Sequence, residues 1–216
     1  MKVVACIGAL LMVAACTSKP PYQPPPTDQL PPLTRTHVSS GLPIEQLFPL
    51  VDGHIYNYAK QTTDGRSADG ADTALLIANV VRTGELRGEL HMSGSTRYFE
   101  YASDGLTVLS ATTGARTYVL KWPPTLDQQW YGEHRGRVQV TAIDQTVTVR
   151  AGSFSGCVTV VEARRGDLPA RFETTFCPNV GIVLLQAASG NIEERAELVS
   201  YGPPVTIGPD GVRVLE

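Results

Sequence analysis

Side chains able to do chemistry are few in this chain, and they lie far apart. Its four histidines, His37, His54, His91 and His134, share no HxxxH or HExxH spacing of the kind that puts two imidazoles on one metal ion. They read as surface or half-buried residues, although ligands from separate strands could still meet in space. No GxSxG, GxGxxG, phosphate-loop or CxxC pattern occurs, and Ser153 and Ser155 of "SFSG" read as turn residues, not as nucleophiles. The stretch "DGRSADGADT" (64–73) offers aspartates at its positions 1, 6 and 9, where a calcium loop needs ligands at 1, 3 and 5, so it reads as a solvated loop. "RGD" (165–167) supplies the glycine and aspartate that a tight hairpin turn favours, and chance accounts for the tripeptide. These residues predict no metal, no cofactor and no catalytic constellation, and hence a protein that is not an enzyme.

The aromatics are the other candidates for a site. Tyr56 and Tyr58 share one strand face, Phe99 and Tyr101 another, and Trp122, Trp130 and Tyr131 flank a central turn. Such residues are expected to build the apolar core. Alternatively Tyr56, Tyr58, Trp122, Trp130 and Tyr131 line a barrel mouth, as a surface for a partner or a pocket for a lipid or glycan. Charge does not point to a polyanion. The 18 Lys and Arg face 21 Asp and Glu with no basic run, so no nucleic-acid partner is expected.

The N-terminus speaks of location. Met1-Lys2 carries one positive charge, and the run from Val3 to Ala15 is apolar. It is shorter than the roughly 20 residues needed to span a bilayer, but suits the hydrophobic region of an export signal. Its end, Val13-Ala14-Ala15-Cys16, resembles the lipobox of bacterial lipoproteins. That resemblance implies a signal peptide over 1–15, cleaved before Cys16, whose thiol takes a diacylglycerol and whose new amine is acylated. Two or more chains would then hold the product firmly on a membrane. Thr17, where enterobacterial lipoproteins retained in the inner membrane carry Asp, implies the outer membrane, with the domain in the periplasm or at the cell surface. Residues 16–36 include "KPPYQPPPTDQLPPL", whose prolines exclude helix and sheet and favour an extended tether. At about 3.1 Å per residue it would reach on the order of 50 Å. It reads as a stiff spacer, or else as a segment threading toward peptidoglycan or a proline-binding partner.

With Cys6 in the signal and Cys16 lipidated, the chain's four cysteines leave Cys157 and Cys177 as a pair in an oxidising compartment. "GCVTVVEA" and "ARFETTFC" read as strands of a hairpin centred near Asp167, and both cysteines lie ten residues from it. A symmetric register sets them opposite each other, within bridging reach. The bridge would close a loop of about 20 residues and contribute about 3 kcal/mol.

From residue 37 to 216 period-two alternation between turn signals dominates, and "LPIEQLF" alone suggests a short helical turn. Strands are expected over 54–61, 73–82, 86–92, 96–102, 106–110, 116–121, 129–134, 137–144, 145–150, 154–164, 170–177, 181–187 and 192–201, before a closing hairpin at "VTIGPDGVRV". Sequential strands joined by short loops predict one all-β domain, an antiparallel meander forming a curved sandwich or a partly open barrel. Three segments, "FPLVDGHIYNY" (48–58), "LKWPPTLDQQWYGE" (120–133) and "VRAGSFSGCVTV" (149–160) with "FCPNVGIVLLQ" (176–186), resemble the TapB-like secreted lipoprotein domains of bacteria. The resemblance covers about residues 45–201 and departs from the family at His54, Tyr56 and Asn179. It implies fold, and carries no established chemistry. The expectation for function is a lipid-anchored, non-enzymatic accessory or structural subunit that binds other envelope proteins. The alternative is a half-open barrel that carries or senses a lipid or glycan.

Overall fold

A computed structural model describes residues 39–64, 72–92, 94–110, 114–166, 169–208 and 211–214. The segment read as an export signal, Cys16, the proline-rich stretch, His37, most of the aspartate-rich stretch, Asp167 and Pro209-Asp210, where a turn is expected, lie outside the described residues.

Among the described residues fourteen strands follow a short 3-10 helix, Pro43–Gln46, where "LPIEQLF" predicts a turn. The strands are β1 (Ile55–Asp64), β2 (Asp72–Arg82), β3 (Arg87–Met92), β4 (Ser95–Ala102), β5 (Gly105–Leu109), β6 (Arg116–Lys121) and β7 (Gln129–Tyr131). They continue as β8 (Arg137–Val149), β9 (Gly152–Arg164), β10 (Ala170–Cys177), β11 (Gly181–Ser189), β12 (Ile192–Gly202), β13 (Val205–Gly208) and β14 (Gly211–Val214). The first twelve form one antiparallel sheet in the order β6-β5-β4-β3-β2-β1-β12-β11-β10-β9-β8-β7, and β13 and β14 pair separately. Two meanders are thus stitched together where the first strand meets the twelfth. The sheet curls into a nearly closed barrel whose free edges, β6 and β7, are consecutive in sequence.

At that seam a side chain does what a ladder does elsewhere. The buried indole of Trp130 on β7 donates from Nε1 to the carbonyl oxygen of Tyr118 on β6 at 2.9 Å. This bond gives the otherwise unpaired edge a partner.

One end of the barrel is filled by its own entry segment. Ile44, Leu47, Phe48 and Leu50 are buried, and the Phe48 ring lies 4.9 Å from Phe99 and 6.2 Å from Phe176. The segment's backbone is tied down as well. The Tyr101 hydroxyl donates to Phe48 O at 2.6 Å and accepts from Leu50 N at 2.9 Å, and Asn179 N donates to Gln46 O at 2.6 Å. A buried ion pair locks this plug to β2. Arg82 Nη1 donates to Glu45 Oε1 at 3.0 Å and to Leu50 O at 3.1 Å, while Ser39 and Ser40 donate to Glu45 Oε2. Burial alone would raise the Glu45 carboxyl, but the bonds from Ser40, Ser39 and Arg82 outweigh it and hold it below its ordinary range.

Two expectations need correction. Residues 137–149 form one strand and not two, because Asp144, at φ 52°, sits in a run of bulges between Val140 and Val147. The bulges bend β8 against β9 without ending it. The strand expected over 129–134 stops at Tyr131, since Arg135 takes φ 62° and Gly132 N donates to Gly136 O, closing a turn. The cysteine register is as the symmetric hairpin predicts. Phe176 faces Val158 in the β9–β10 ladder, and the neighbouring Cys157 and Cys177 are bonded with a Cα–Cα distance of 4.2 Å.

Candidate functional site

Inward side chains change character with distance from the plug. On β1 the series is Tyr56, Tyr58, Lys60; on β4 it is Tyr101, Phe99, Arg97; on β9 it is Val158, Val160, Glu162. In each strand the apolar positions lie nearer the plug, and the charged position borders a cavity of about 240 Å³ toward the other end of the barrel.

Register builds the cavity wall. One row of cross-strand partners runs Val138, Glu162, Phe172, Ala187 and Glu194, and the row beside it runs Val160, Thr174, Leu185, Ala196 and Lys60. Direct partners in an antiparallel ladder share a face, so both rows point inward and every one of these side chains lines the cavity. Phe99, Leu76 and Ile182 form its floor toward the plug, and Arg97 and Tyr118 close it from the first meander.

The turn between β7 and β8 folds over Glu162. Gly136 N donates to Glu162 Oε1 at 2.7 Å. A Cβ on Gly132 would stand 2.5 Å from the Glu162 carboxyl carbon, and one on Gly136 would stand 2.7 Å from Ala163 O, so backbone comes close only because both residues are glycine. The same turn carries Glu133, paired with Arg97, and His134, whose ring stacks on Phe172 at 3.8 Å.

Glu162 is 7% exposed. Burial pushes its carboxyl above the ordinary range, and Glu133 adds to the rise; the Gly136 and His134 amides and the His134 ring act in the opposite direction without overcoming it. Elsewhere in the wall Lys60 Nζ lies 2.6 Å from Glu194, and Glu173 pairs with Arg171 at 2.8 Å. Arg97 spreads its guanidinium over the Phe99 ring at 5.2 Å, and its Nε is buried with no hydrogen-bond partner among the described residues. The arrangement can bind a group with an apolar stem and a polar head. Among the described residues no cluster of three or more His, Cys, Asp and Glu side chains is placed to hold a metal ion.

The five aromatics singled out from the sequence do not gather here. Tyr56 and Tyr58 are buried beside the plug, with hydroxyls donating to Pro49 O at 3.4 Å and Ile182 O at 2.9 Å. Trp130 is buried at the seam, Trp122 is partly buried against the core, and Tyr131 is 73% exposed. None of the five borders the cavity. Of the histidines, His91 is exposed beside Glu89 at 2.7 Å and His54 is half-buried, whereas His134 stands at the cavity. Reading by motif passes over Glu162, Arg97 and Lys60, though one signal was available. Each interrupts a strand's apolar series at a position whose parity points inward.

No protein-family model matches the sequence, and no curated protein matches it. Among solved structures, a Bacteroides fragilis protein provisionally described as exported, with a YmcC-like fold, is 13% identical at a TM-score of 0.45, over 72% of this chain and 98% of its own. A Parabacteroides distasonis protein provisionally described as a lipoprotein is 15% identical at a TM-score of 0.46, with the same coverage. Likeness at this level carries no argument about fold or function.

Proposed function

We propose that the chain is a non-enzymatic accessory subunit of the bacterial cell envelope, anchored in the outer membrane through acylated Cys16, whose barrel holds on to another envelope protein. The lipobox-like "VAAC" and the proline tether support the anchor. The observation that carries the binding role is the polarity of the barrel. Its plugged end is sealed by Pro43–Gln46 and the residues after it, while the cavity beyond Phe99 has charged side chains held at defined positions by register.

Cavity size separates this reading from carriage of a whole lipid. At about 240 Å³ it is smaller than the roughly 300–1,000 Å³ typical of sites that engulf a drug-sized molecule, and it suits one protruding group of a partner.

The test is in-cell photo-crosslinking from two exposed positions, Arg135 beside the cavity and Gln46 on the plug. Position 135 should capture one envelope protein in constant ratio while position 46 captures none, and intact mass should show the mature chain beginning at acylated Cys16. Equal capture from both ends, or a mature chain with an unmodified Cys16, would overturn the proposal.

A further inference from the structure

Resting on that reading, we infer that the group received by the cavity is an alkylammonium, as presented by a lysine side chain of the partner protein, with Glu162 as its counter-charge. The argument is charge balance inside a closed wall. Four carboxylates border the cavity, Glu133, Glu162 and Glu194 from the inward face and Glu173 from the outward-pointing row beside it, against two cations, Arg97 and Lys60. Both cations are engaged, Arg97 with Glu133 and Lys60 with Glu194, and Glu173 has Arg171. Among the described residues no Lys or Arg pairs with Glu162, which is the most buried of the four. A buried carboxylate needs a cation or several hydrogen-bond donors. The Gly136 amide at 2.7 Å and the His134 amide supply part of that need.

The walls fit the rest of the group. Val138, Val160, Leu185 and Phe172 surround the approach to Glu162 and would take the methylenes of a lysine stem. An anionic head would meet the excess of carboxylates. A neutral head of the same size would leave Glu162 without a counter-charge.

Binding is then linked to proton release. Glu133 and His134 on the β7–β8 turn act on Glu162 directly, and Glu194 on β12, Lys60 on β1 and Arg97 on β4 are the other charged groups of the inward wall. A cation entering this set favours the ionised carboxylate, so affinity rises with pH until Glu162 is already ionised in the free protein.

The experiment is titration calorimetry of the full chain in detergent with pentylamine, pentanol and pentanoate, repeated with Nα-acetyl-lysine amide and Nα-acetyl-norleucine amide. Pentylamine should bind about tenfold or more tighter than pentanol, the ratio expected of one charge-assisted bond. Pentanoate should bind least, and the lysine derivative should exceed norleucine by a similar factor. Glu162→Gln should remove the preference while pentanol still binds, Glu89→Gln on β3 should leave it intact, and His134→Gln should keep the rise with pH. If pentanol or pentanoate matches pentylamine, the charge assignment is wrong while the binding site stands. If none of the five ligands binds to protein whose unfolding transition is normal, the binding-site reading falls with it.

Discussion

Replacement of Arg82 by methionine should loosen the plug without removing the apolar contacts that seat it. Arg82 is 5% exposed at its side chain and donates to Glu45 Oε1, to Leu50 O and to Gly84 O at 2.7 Å, with a further bond to Glu85 O. Removing one partner of a buried pair usually costs about 3–5 kcal/mol, because the other charge is left unpaired. Here Glu45 keeps three donors, Ser39 Oγ at 3.0 Å with Ser40 N and Ser40 Oγ at 2.7 Å, so the cost belongs at the low end, about 3 kcal/mol. Glu45→Gln retains the shape and loses the charge-assisted part, about 1–2 kcal/mol. The double variant should be less destabilised than the sum of the two by about 1 kcal/mol or more, since the second substitution removes an interaction already broken. Urea unfolding followed by tryptophan fluorescence measures all four proteins, with Trp130 reporting from the seam. A pH series adds a sign. Glu45 has its folded carboxyl below the ordinary carboxylate range, so its contribution is full above that range and is lost as pH falls through the lowered folded value. Glu45→Gln should flatten that acid limb. An Arg82→Met cost under about 0.5 kcal/mol, the range of an ordinary surface change, would refute the lock, and so would strict additivity of the pair.

Three further perturbations address the seam, the bridge and the cavity. Trp130→Phe deletes the Nε1–H bond to Tyr118 O and leaves a carbonyl without its donor, so urea unfolding should show about 1–2 kcal/mol lost and β6 amides should exchange faster. Unchanged β6 exchange would deny the seam its role. Cys157→Ala with Cys177→Ala opens a loop of sequence separation 20 and should lower stability by about 3 kcal/mol in a thermal or urea melt, while the unreduced parent should resist thiol labelling. Glu162 works opposite to Glu45. Burial raises its folded carboxyl, so the contribution of Glu162 to stability is full below the ordinary carboxylate range and is lost as pH rises through the raised value. Glu162→Gln, which can still accept from Gly136 N, should remove that loss and be the more stable protein at neutral pH. A stability profile identical to the parent's would contradict it.

The architecture was legible in the sequence because strands report themselves twice, by alternation and by the turns between them. The β9–β10 register could even be read to the residue, since the centre of "RRGDLP" fixes which positions face each other and two cysteines occupy one such pair. Where this local rule fails, the reason is local too. Asp144-Gln145 carries the polar signal of a turn, yet the chain runs on through bulges because β9 offers an unbroken partner on that side. Trp130 was legible as core but not as the seam, because its acceptor, Tyr118 O, lies across a gap that only barrel curvature closes.

The cavity was hidden for a different reason. Its wall joins residues from β1, β2, β4, β6, β8, β9, β10, β11 and β12, and no sequence spacing brings Lys60, Arg97 and Glu162 together; the long-range pairing of β1 with β12 and the curl of the sheet do. What the sequence does hold is the exception within each strand. A run such as Val158, Val160, Glu162 places an ionisable group where parity demands an apolar one, at a desolvation cost that folding gains nothing by accepting. Three such exceptions on strands that the barrel sets around one space are hard to ascribe to core packing, which any Leu or Val would serve better. Aromatic residues mislead here because they satisfy parity. Tyr56 and Tyr58 belong to the core for the same reason that made them conspicuous, whereas the site lies with the residues that break the pattern.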